Sequence, residues 1–175
     1  CSIFLACYFV FALPVSAEAG FNFDFQYQQQ EEQYTENIDA VHQAAEQGSA
    51  NAQFYLAALY ALGQSVPQNY QLAVSWCRKA AEQGLVNAQH NLAVFYAAGR
   101  GVKQDFKQAV FWYRKAAQQG FVNAQHDLGG LYALGRGVEQ DFEQAVFWYR
   151  QAAQQGFADA QASLGYMYSA GQGVK

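Results

Sequence analysis

Apolar and polar positions follow a helical period over most of the chain, and one pattern of them returns every 36 residues. From Ala88 to Ala98, the side chains of Ala88, Leu92, Phe95 and Tyr96 fall on one side of a 3.6-residue helix. Gly99-Arg100-Gly101 then breaks the run, glycine supplying the positive φ that ends a helix. A second helix is predicted from Asp105, a good N-cap, to Gly120, with Phe106, Ala109, Trp112, Tyr113, Ala116 and Ala117 as its core side. Asp141 and Asn69 hold the N-cap place in the units on either side. Ala-Gln recurs at Ala52, Ala88, Ala124 and Ala160, Trp at 76, 112 and 148, and Gly at 48, 84, 120 and 156. Segments 85–120 and 121–156 are identical at 27 of 36 positions without a gap. A step of this size marks an array of stacked helix pairs, because a single pair cannot bury both of its apolar faces.

One unit reads Ala124, Leu128, Gly129, Tyr132, Gly135, Gly137, Val138, Asp141, Ala145, Trp148, Tyr149, Ala152, Ala153 and Gly156. That pattern resembles the Sel1-like repeats, relatives of the tetratricopeptide repeats. The resemblance covers about residues 36 to 175 and implies an all-α fold, an α-solenoid of helix-turn-helix repeats in a right-handed superhelix. The divisions are a half repeat over 36–48, whole repeats over 49–84, 85–120 and 121–156, and a partial repeat over 157–175. Unit 49–84 departs from the pattern, with Ser65 for the second loop glycine, Asn69 for the Asp and Cys77 for the Tyr. The last loop, at 171–175, shows no polar capping helix of the kind a solenoid end needs, so the natural protein is expected to continue past Lys175.

The first 35 residues lie outside this pattern and change the picture of charge. Residues 1–17 carry no charge, run apolar to Pro14 and close on Val15-Ser16-Ala17, which reads as the core and cleavage site of a secretory signal. Starting at Cys1 without a basic stretch ahead, the signal reads as truncated; a membrane anchor or a lipoprotein signal around Cys7 are alternatives. Residues 18–35 form an acidic, Gln-rich and aromatic linker, in which Phe21, Phe23, Phe25 and Tyr27 alternate as a short strand would. Seven acids and no Lys or Arg stand between residues 18 and 48, so the formal net charge of −4 hides a slightly basic array. Nothing in that balance suggests nucleic acid, and any membrane attachment is expected through the export signal alone.

Little in the chain points to catalytic chemistry. There is no Gly-x-Ser-x-Gly, no phosphate loop and no Cys/His cluster at metal spacing. Cys77 is left alone once a signal is removed and reads as a buried packing residue. His90 and His126 share one repeat position and would lie close together; a shared metal lacks a third ligand, Asn91 and Asp127 pointing partly elsewhere, so plain surface histidines are expected. No cofactor or metal is called for. Arg78, Lys79, Arg114, Lys115 and Arg150 read as a solvated stripe. By subtraction from the core face, an outward apolar ridge is predicted at Phe54, Ala58, His90, Val94, His126, Gly130, Ala162 and Tyr166, and such a patch marks an interaction site. The resemblance places first helices on the concave side and implies a non-catalytic scaffold for a protein or peptide partner. With the signal, this becomes an exported scaffold, periplasmic or secreted, of bacterial envelope or host interaction. Cysteine-rich relatives described as penicillin-binding, β-lactamase-like hydrolases supply the alternative, but their cysteine pairs are missing here.

Overall fold

The computed structural model describes residues 38–173, and these are all-helical. They form α1 (Ile38–Glu46), α2 (Ala50–Leu62), α3 (Tyr70–Glu82), α4 (Val86–Ala98), α5 (Phe106–Gln118), α6 (Val122–Leu134), α7 (Phe142–Gln154) and α8 (Ala158–Ser169). The signal, the linker with its predicted strand, and residues 36 and 37 lie outside the described part. No described helix is long and apolar enough to cross a membrane.

The predicted punctuation sets the helix ends. Asn69 caps α3 by accepting from the Leu72 amide, Asp105 caps α5 by accepting from Lys107 and Gln108, and Asp141 caps α7 by accepting from Gln144. Gly63, Gly99 and Gly135, at φ of 71°, 69° and 64°, close the first helices in the left-handed region. A second loop glycine answers a different need: a Cβ on Gly101 or Gly137 would collide with the carbonyl of Tyr70 or Phe106, where the loop crosses the start of the preceding second helix. Ser65 fills that place in the first unit and keeps the positive φ, at 59°.

Each helix packs chiefly on the one before and the one after, giving a row of helix pairs. Leu56, Leu92 and Leu128 are fully buried, and alanines such as Ala80, Ala116 and Ala152 let the backbones approach. The recurring Ala-Gln has a structural meaning that its repetition alone does not reveal. Gln53, Gln89 and Gln125 are buried, and their amides donate to the carbonyls of Ala45, Ala81 and Ala117 at the end of the preceding second helix. Their own oxygens accept, at 2.8 Å, from Gln83, Gln119 and Gln155 of the following second helix. One glutamine thus joins three successive helices, adding a second donor to C-terminal carbonyls that already accept from Gly48, Gly84 and Gly120.

Candidate functional site

First helices are apolar around most of their circumference. In α2, buried residues run from Ala52 through Phe54, Leu56, Ala58 and Ala61 round most of the helix, leaving a narrow open side at Asn51, Tyr55 and Leu62. This corrects the predicted ridge. Phe54, Ala58, His90 and Gly130 are buried, Val94 and His126 are half-buried, and Ala162 and Tyr166 are exposed. Subtraction from one core face fails here because a first helix is held by second helices on both sides, so its supposed back is a second core face. The open stripe is rotated by about one residue, through Asn87, Val94 and Ala98, and one unit later through Asn123, Asp127 and Leu134.

The two histidines are wedged between aromatic rings rather than set on the surface. His90 lies 5.4 Å from Tyr113 and 5.1 Å from Phe121, and His126 lies 5.5 Å from Tyr149 and 5.4 Å from Phe157, centroid to centroid. Asp127 stands between them: its Oδ2 is 3.1 Å from His90 Nε2 and its Oδ1 3.5 Å from His126 Nδ1. The expectation that Asp127 points elsewhere is therefore corrected. Asn91 Oδ1 adds a contact of 3.3 Å to His90 Nδ1, and Ser163 Oγ lies 3.5 Å from His126 Nε2. The imidazoles converge on a carboxylate rather than on a common empty point. No group of three or more His, Cys, Asp or Glu able to hold a metal occurs among the described residues.

Electrostatics follow from that placement. Burial pushes the Asp127 carboxyl up, but hydrogen bonds from His126 and His90 and their charge outweigh it and hold the group at about 2. Burial, helped by the Asp127 charge and hydrogen bond, pushes the Tyr113 phenol well above its usual value. Burial with the same charge pushes Tyr149 up to about 12, against an opposing hydrogen bond from Ser163. The site is a polar knot inside an apolar array, with an ionised carboxylate 27% exposed at its mouth. Residues 55, 91, 127 and 163 occupy one repeat position and read Tyr, Asn, Asp and Ser, between alanines at 52, 88, 124 and 160 and leucines at 56, 92, 128 and 164. That contrast, visible in the sequence, is the signal that would have found the site.

Two further groups find their places. Cys77 is buried, its Sγ 3.3 Å from the Ala88 carbonyl, and burial pushes its thiol up, as packing rather than reactivity requires. The cationic stripe is more engaged than a solvated face: Arg78, Arg114 and Arg150 donate to the hydroxyls of Tyr96, Tyr132 and Tyr168 at 2.9, 2.7 and 2.9 Å. Lys79 lies over the Trp76 ring and Lys115 over Phe111 and Trp112.

Comparison with known proteins gives a consistent result. The Sel1 repeat model matches residues 50–85, 86–121, 122–157 and 158–175. No curated protein matches the chain. Among solved structures the chain is similar to c5321, a protective antigen present in uropathogenic Escherichia coli strains displaying an SLR fold. Identity is 42% and the TM-score 0.77, over 79% of this chain and only 30% of that one. It is similar to a Sel1 repeat protein from Oxalobacter formigenes at 37% identity and a TM-score of 0.72, covering 86% of this chain and 59% of the other. Helicobacter pylori cysteine rich protein B follows at 27% identity and a TM-score of 0.57, over 77% and 96% of the two chains.

Proposed function

The chain belongs to the Sel1 repeat family, and from that premise we propose that it is a scaffold holding a protein or peptide partner along the open stripe of its first helices. Sel1 repeats are generally non-catalytic and mediate protein–protein interaction. The observation that carries the reading is the changing residue at 55, 91, 127 and 163 between alanines and leucines that do not change. Asn91 is buried, but Tyr55, Asp127 and Ser163 are half-buried at that place, and side chains that differ from unit to unit along one side of an array are what reads a sequence. Asp127, Val94 and Tyr166 are the contacts of this proposal; Phe54, Ala58, His90 and Gly130 support the stripe from the core.

Affinity capture from envelope and host extracts by the full chain should yield a defined partner. Tyr166→Ala with Val94→Glu should lose it while retaining the helical circular dichroism of the parent. Undiminished capture by that variant would remove the stripe from the account. Export, the second part of the proposal, is supported by the apolar run over 1–17 and predicts a processed product outside the cytoplasm on cell fractionation. For the hydrolase reading, nitrocefin turnover by the purified chain is the expected sign; the scaffold reading predicts none.

A further inference from the structure

The loop leaving α4 and the start of α5 enclose, with α3 and the loop of the next unit, a cleft of about 720 Å³ lined by Arg78, Tyr96, Lys103, Lys107 and Gly137. Asp105 also lines it, but its carboxylate is spent on the Lys107 and Gln108 amides of the cap. Among the described residues, ion pairs join Asp127 to His90 and His126, and none joins a carboxylate to Arg78, Lys103 or Lys107. A cluster of lysines alone would be an ordinary solvated surface. One unit further along, the equivalent positions keep the arginine and reverse the sign of both lysines. Arg114 donates to Tyr132 as Arg78 does to Tyr96, and Gly173 crowds Phe142 as Gly137 crowds Phe106, but Lys103 becomes Glu139 and Lys107 becomes Glu143. Units 85–120 and 121–156 differ at only nine positions; the two outright charge reversals among them are these.

We propose that the Arg78–Lys103–Lys107 cleft binds acidic side chains of a polypeptide segment whose neighbouring basic residues lie on Glu139 and Glu143. This surface is separate from the stripe of the first helices. Charge complementarity decides the class of partner. A membrane or a nucleic acid presents negative charge continuously and would meet two glutamates one helix pair away, at a cost that grows as salt is lowered. A polypeptide with an acidic block followed by a basic one satisfies both steps at once.

The test uses the full chain and a fluorescein-labelled peptide made of a glutamate block, a Gly-Ser spacer and a lysine block, read by fluorescence anisotropy at low salt. Lys103→Glu with Lys107→Glu should weaken binding by about tenfold or more, as expected when two attractions become repulsions. The next unit already carries glutamate at both places, so this variant keeps the fold, and adding Glu139→Lys and Glu143→Lys should restore binding in the mirrored order. Raised salt should abolish binding in the parent. No binding of the peptide, equal binding by the parent and the K103E/K107E variant, or equal binding when the lysine block is replaced by glutamate would each overturn the proposal. Equally tight binding to phosphatidylserine vesicles would overturn it in favour of an anionic surface.

Discussion

A carboxylate placed between two imidazoles stays ionised despite the cost of its own burial. The Asp127 carboxyl ordinarily titrates at 3.8 and is held at about 2 in the fold, so the folded state binds its proton less readily than the unfolded chain. Its stabilisation is therefore fully present above about pH 4 and fades as the pH falls through about 2. The depression is worth on the order of 2 kcal/mol. His90, His126 and Tyr113 face the group. Urea unfolding at several pH values should show Asp127→Asn less stable than the parent by roughly that amount near pH 6, with the gap closing towards pH 2. A gap independent of pH would mean that the carboxylate charge contributes nothing. None of this was legible residue by residue, because the bond from His90 to Asp127 spans 37 positions and exists only once two units are stacked.

Helix placement, by contrast, was written in the sequence. Asp105 and Asp141 cap where predicted and Gly99 and Gly135 terminate where predicted, since caps and left-handed residues are local requirements that no distant contact needs to supply. The rotation of the first helices was not legible from one core face. Their apolar circumference was the available warning, for a helix without a polar side is buried on more than one side. The meaning of Ala-Gln stayed hidden for a similar reason: a polar residue among alanines reads as solvent-facing until Gln89 is seen bonding Ala81 and Gln119. Gln89→Leu removes two hydrogen bonds, while Ala81 keeps the Gly84 amide and Gln119 keeps the Gly84 carbonyl, and should cost about 1–2 kcal/mol in chemical denaturation. The exposed Gln118→Leu should change stability little, and equal effects from the two would disprove the clamp.

At the scale of the molecule, each helix leans on its two neighbours, so the array presents long continuous surfaces instead of one enclosed pocket. One surface is the stripe through Asn87, Val94 and Asp127; the outer one carries Phe111 and Phe147, each 47% exposed, beside the tryptophans and lysines of the second helices. These aromatics are the same in units 85–120 and 121–156, with Ser75 in their place in unit 49–84, whereas the stripe differs between those two units. The most direct measurement is photo-crosslinking in the complex with the captured partner, with a photoreactive residue placed in turn at Val94, Tyr166, Phe111 and Phe147. Adducts from 94 and 166 and none from 111 and 147 are predicted; adducts confined to 111 and 147 would contradict the assignment of the partner to the first helices.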